Sequence, residues 1–131
     1  MRRGVVVLPV LAALAVPAGM YEHYSLSRQN LQMHADGAAI YAARALQLGR
    51  DPRATVRNQV EKWGLALIGP PEIEAPPSAG GFAGDPQGVR VRFAARWRPA
   101  FLFGLLSAPM SVRATAAAVP IGGERTILRV E

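Results

Sequence analysis

The chain has 131 residues, a formal net charge of +6 and no cysteine, so disulfides and thiolate metal sites are excluded. Its length allows one small domain beyond any N-terminal segment. The positive charge is nearly all arginine, Lys62 being the only lysine, and the arginines are scattered except for Arg90, Arg92, Arg96 and Arg98. Such a balance suits an anionic partner or a solvated surface.

From Gly4 to Tyr21 no residue is charged. As a helix this stretch would cover roughly 27 Å, just short of the ~30 Å hydrocarbon core of a bilayer. Val5, Val6, Val7, Leu8, Val10, Leu11, Leu14 and Val16 would face lipid, with Tyr21 and Tyr24 at the lipid–water boundary. Pro9 and Pro17 are better tolerated in membrane helices than in soluble ones. Arg2 and Arg3 precede the run and Glu22 and His23 follow it, so the positive-inside rule keeps the amino terminus cytoplasmic and exports the rest. Two other readings exist: a cleaved signal peptide, with Val16-Pro17-Ala18 at its cleavage site, and a buried helix of a soluble domain. The expected organisation is an anchor over residues 1–24 and an exported domain over residues 25–131.

Helical periodicity continues over residues 25–49. Leu31, Ala35, Ala38, Ala42 and Ala45 recur at three- and four-residue steps, with Ile40, Tyr41 and Leu46 widening the stripe. Alanine favours helix and lets a neighbouring helix or sheet approach closely. After Gly49, Asp51-Pro52 gives an N-cap acceptor and a proline at the first helical position, opening a second helix over residues 52–66. Val56, Val60, Trp63 and Leu67 form its apolar face, and Gly64 or Gly69 ends it.

Residues 69–88 are rich in proline and glycine and read as loop, with a short extended piece at Glu72-Ile73-Glu74. Val89, Val91, Phe93, Ala95 and Trp97 then alternate with Arg90, Arg92 and Arg96 in a half-buried strand. Phe101 to Leu106 is an apolar connection. A second strand runs from Ser111 to Val119, with Val112, Ala114, Ala116 and Ala118 inward, and Gly122-Gly123 turns the chain into a third ending at Val130. The fold class is α+β: a long N-terminal transmembrane or stalk helix, a second short helix and a small antiparallel sheet over residues 89–130.

Catalytic patterns are missing. His23 and His34 lie about 16 Å apart along one helix and cannot share a metal within the chain. Asp36 makes no dyad with His34, and no Ser/His/Asp arrangement is supported. Gly80-Gly81-Phe82-Ala83-Gly84 lacks the strand, helix and Gly-Lys-Ser/Thr element of a phosphate loop. Glu72 and Glu74 read as a solvated edge. No enzyme, metal or cofactor is expected. Arg90, Arg92 and Arg96 form a possible basic surface, but Phe93 and Trp97 lie on the opposite face, so nucleic acid is not the expected partner.

Three places resemble the TadE/TadG-like proteins of tight-adherence (Flp-type) pilus-assembly systems, whose members are pilin-like bacterial proteins. Arg2-Arg3-Gly4 runs directly into an apolar segment. The stretch Arg28-Gln29-Asn30-Leu31-Gln32-Met33-His34-Ala35-Asp36-Gly37-Ala38-Ala39 is similar to the family pattern R-x-x-L-Q-x-x-A-D-A-A-A. Val89-Arg90-Val91, Phe101 to Gly104 and Val112 to Ala116 echo its closing strands. Prepilin-like members carry a glutamate five residues after the leader glycine, where this chain has Pro9. That departure favours a TadG-like accessory protein over a major pilin.

The resemblance implies a pilin-like fold and a minor pilin-like or accessory role in a tight-adherence pilus and secretion machine serving cell adhesion. It implies a single-pass protein of the bacterial inner membrane, with its head in the periplasm. Its partners would be the lipid bilayer and other pilus-assembly proteins, with self-association through the N-terminal helix. Arg28, Leu31, Gln32, Ala35, Asp36, Ala38, Ala39 and Ala42 are the motif and packing positions. The alternative is a membrane-tethered binding module for an acidic ligand or polymer, using the arginine strand and the Phe101–Leu106 patch.

Overall fold

A computed structural model describes the backbone of residues 2–99, 103–121 and 125–130, and the side chains of residues 18–99, 103–118 and 130. Helix α1 spans Arg2–Gln47 and helix α2 spans Pro52–Trp63. Four strands follow: β1 (Glu72–Glu74), β2 (Gly88–Trp97), β3 (Ala108–Ile121) and β4 (Arg125–Val130). They form one antiparallel sheet in the order β1-β2-β3-β4. The α+β class is as expected, with the small antiparallel sheet extended by one short strand.

One face of the sheet meets α1. Register places Val89 opposite Ala116, Val91 opposite Ala114, Phe93 opposite Val112, and Trp97 opposite Ala108. On the helix, Leu31, Ala35, Ala38, Ala39, Ala42, Ala43 and Ala45 are buried. A methylene is worth only about 0.8 kcal/mol of burial, so an alanine stripe stabilises little per residue. Its effect is geometric: methyl groups let the sheet come close, and Phe93 with Val89, Val91 and Val112 fills the remaining depth.

Both helices end in the same way. At α1 the Arg50 N–H donates to the Ala45 carbonyl and the Gly49 N–H to that of Leu46, with Gly49 at φ 71°. At α2 the Leu65 N–H reaches Val60 and the Gly64 N–H reaches Glu61, with Gly64 at φ 65°. Each is a Schellman closure, which needs a left-handed residue that glycine adopts without a Cβ penalty. The start of α2 is as expected: Asp51 accepts from the Arg53 N–H at 3.0 Å, with Pro52 next.

Three boundaries are corrected. The uncharged run and the alanine segment form one continuous helix, as expected, but it ends at Gln47 rather than 49. The second helix stops at Trp63, not 66, because Gly64 takes the cap. Leu67 therefore leaves the helical face and bridges to Ala95, while the Ile68 N–H donates to the Ala94 carbonyl at 2.7 Å. The sheet also begins before residue 89, since β1 pairs with Arg90, Val91 and Arg92 along the β2 edge.

Among the described residues, no helix is long and apolar enough to cross a membrane. The side chains expected in the anchor (Val5, Val6, Val7, Leu8, Val10, Leu11, Leu14 and Val16) lie outside those described, whereas Tyr21 is described and exposed. The Gly122-Gly123 turn and Phe101-Leu102 also lie outside the described residues.

Two glycines give opposite expectations. A Cβ on Gly37, inside α1, would sit 3.5 Å from Trp63 of α2, an ordinary contact. Gly37→Ala should therefore gain up to about 1 kcal/mol from helix propensity. A Cβ on buried Gly88 would lie 3.0 Å from the Pro77 ring and 3.3 Å from the Asp85 carbonyl. Gly88→Ala should cost about 1–3 kcal/mol through overpacking. Thermal unfolding of the two variants should move in opposite directions.

Candidate interaction surfaces

The family-like segment of α1 divides into an apolar and a polar half. Leu31, Ala35, Ala38, Ala39 and Ala42 are all buried beneath the sheet. Gln32 and Asp36 are four apart and lie on one flank of the same helix. The Gln32 Nε2 amide donates to Asp36 Oδ1 at 2.8 Å and to the Arg113 carbonyl at 2.8 Å. Both amide hydrogens are thereby used. β4 pairs only with Ala116–Ile121, so among the described residues the β4 side of β3 has no paired strand from Ala108 to Thr115. Gln32 satisfies an acceptor within that stretch of β3, and exposed Arg28 lies one turn earlier on the same flank.

Trp97 fixes the other end of the helix–sheet contact. Its indole N–H donates to His23 Nδ1 at 2.8 Å, which places the imidazole proton on Nε2. Tyr24 meets the same indole edge-on, with ring centroids 5.2 Å apart. The sequence reading gave His23 no partner, because this pairing joins residues 74 positions apart. A buried tryptophan needing an N–H acceptor was the available signal. His34 is likewise engaged: its Nδ1–H donates to the Asn30 carbonyl at 2.9 Å, and its ring packs edge-on against Trp63 at 5.1 Å.

The basic strand is more neutral than its sequence suggests. β1 lies beside it, and register sets Glu72 opposite Arg92 and Glu74 opposite Arg90. Arg92 approaches Glu72 at 3.2 Å, and Arg90 approaches Glu74 at 3.8 Å. The Arg96 guanidinium donates to Ser107 Oγ at 3.3 Å. Glu72 and Glu74 are thus partners of the arginines rather than a plain solvated edge. With Arg113 they line a shallow depression of about 370 Å³. Such exposed pairs add little to stability, so their effect is mainly on the surface potential.

Glu74 has the clearest electrostatic perturbation. The Ser78 hydroxyl donates to its Oε2 at 2.8 Å, and the Ser78 N–H and the Arg90 charge add to this. Together they hold its carboxyl below the usual carboxylate range, against a small opposing effect of desolvation. Among the described residues, no group of three or more His, Cys, Asp or Glu side chains could hold a metal ion.

No family model matches the chain, and neither the curated proteins nor the solved structures contain a match to it.

The indole bond and the Glu74 carboxylate can each be tested by substitution. Trp97→Phe keeps an aromatic ring but loses the N–H donor, and should cost about 1 kcal/mol in chemical denaturation. Trp97→Ala should cost about 3–5 kcal/mol through the cavity it leaves. For Glu74 the folded pKa is depressed, so its contribution is fully present above the ordinary carboxylate pKa. It is lost as pH falls through the lowered folded value. The melting-temperature gap between the native chain and Glu74→Gln should therefore be present at neutral pH and close in acid across that window.

Proposed function

We propose that this chain is an envelope-anchored structural component of a tight-adherence pilus and secretion machine, a minor pilin-like or accessory protein. The observation that carries this reading is the continuity of α1. One unbroken helix from Arg2 to Gln47 joins the uncharged run Gly4–Tyr21 to the alanine face that holds the sheet. A helix of that form serves as anchor and internal support at once, with no flexible joint between lipid and head.

The family-like motif supports the same reading. Its alanines receive the sheet, and its Gln32, held by Asp36, bonds to β3, which accounts for a Leu-Gln spacing followed by Ala-Asp. In this role the amino terminus stays cytoplasmic, the run spans the inner membrane and the head stands in the periplasm. Its partners are the bilayer and other pilus-assembly proteins, and copies associate through the outer face of α1. The chemistry is packing, and no catalytic step belongs to it. The acidic-ligand reading is less well supported, because Glu72 and Glu74 already neutralise two of its arginines.

Deletion of the chain from its native host should abolish or sharply reduce surface pili. The full-length protein should stay with membranes through a carbonate wash and co-purify with the inner-membrane platform. Recovery of the uncut chain in the soluble fraction, with piliation unchanged by deletion, would overturn the reading.

A further inference from the structure

Between β2 and β3, the described residues 103–106 display their large apolar side chains outward. Phe103 is 90% exposed, Leu105 87% and Leu106 40%. Single exposed apolar residues are ordinary, but three large ones within four positions of one hairpin tip mark a contact surface. The backbone reinforces this display. Phe103 holds φ 53° and Gly104 φ 76°, and the left-handed region is one that bulky residues seldom occupy. Strained backbone of this kind tends to accompany function.

The position of the tip matters more. Trp97 and Ala108 face each other where the hairpin leaves the sheet, and the Trp97 indole is bonded to His23. Met20 and Tyr24 pack against the core from this amino-terminal side of the described helix. Gln32, further along α1, meets Arg113, further along β3, so the helix runs away from the tip toward its carboxyl end. Phe103 therefore projects toward the amino-terminal half of α1, where the uncharged run lies. Tyr21, about one helical turn before Tyr24, is 75% exposed at the same end of the head.

Charge completes the arrangement. Between Asp85 and Glu124 the sequence has no acidic residue, while exposed Arg96 and Arg98 stand on the hairpin stem. Apolar side chains at a tip, with cations just behind them, match the layering of an anionic lipid surface, where acyl chains lie beneath phosphate headgroups.

We infer that the β2–β3 tip, through Phe103, Leu105 and Leu106, inserts shallowly into the lipid bilayer beside α1 as a second point of attachment. Arg96 and Arg98 meet anionic headgroups. The inference rests on the anchor reading above and extends it, since it fixes which end of the head faces the membrane and how closely.

The absence of native cysteine allows a direct test on the full-length chain. Leu105→Cys, labelled with an environment-sensitive fluorophore, is reconstituted into phosphatidylcholine vesicles containing a minority of phosphatidylglycerol. Ala79→Cys carries the same label at an exposed position of the β1–β2 connection, beyond the far end of β2 and about 30 Å away along the strand. Emission at position 105 should shift to the blue and be quenched several-fold more by shallow spin-labelled lipid than emission at position 79. Adding Phe103→Ser and Leu106→Ser in the Leu105→Cys background should remove most of that difference.

Equal, water-like emission at both positions in a chain that survives a carbonate wash would overturn the inference and leave the anchor standing. A blue shift at position 105 that spin-labelled lipid does not quench would assign the tip to a protein contact, including a second copy of this chain, and would overturn it as well. A chain that does not remain with the vesicles would overturn both readings.

Discussion

The structure depends on how closely a sheet can approach a helix that presents little but methyl groups. Ala35, Ala38, Ala39, Ala42 and Ala43 are fully covered, and over that stretch no larger buried side chain of α1 holds the two layers apart. Close approach brings many weak contacts into range at once, and packing density rather than side-chain size provides the cohesion. Large residues are supplied from the other side: Phe93, Val89 and Val91 come from β2.

The close contact sets the register of helix against sheet, and two polar contacts pin it at separate levels. Trp97 donates to His23 near the hairpin end, and Gln32 donates to the Arg113 carbonyl further along. Apolar methyl contacts alone would permit sliding, since one alanine is much like the next. Directional bonds at two levels do not. Each is worth on the order of 1 kcal/mol net, modest beside the burial it accompanies, but specific in geometry. The motif polar residues therefore make sense as alignment devices, with no chemistry required of them.

Much of this was legible in the sequence, for identifiable reasons. The alanine stripe of α1, the Asp51-Pro52 start of α2 and the alternation of Val89 to Trp97 are local signals whose periods match their elements. All three elements lie where those patterns put them. What escaped detection was non-local. The pairing of Glu72 and Glu74 with Arg92 and Arg90 arises only when a three-residue strand finds the β2 edge. Within the sequence it reads as two acids among prolines. Trp63 and Leu67 share a helical spacing, but the Gly64 cap ends the helix between them and sends Leu67 to the sheet. His23 could not be assigned a partner without knowing which strand end lies above it.

Continuity of α1 has a mechanical consequence for the proposed role. A flexible linker between anchor and head would let the head sample many orientations, and a partner would lose binding energy in restricting them. A helix running without interruption from Arg2 to the alanine face removes most of that freedom in advance. One rod still permits tilt and rotation about its own axis, which neighbouring contacts must settle. A second attachment at the β2–β3 tip, displaced from the helix axis, resists rotation in a way that the helix alone does not. The same geometry turns the carboxylates of β1 and the arginines of β2 to the sheet face away from α1. Along β1 that face carries two paired charges, Glu72 with Arg92 and Glu74 with Arg90, in place of a bare cationic strip.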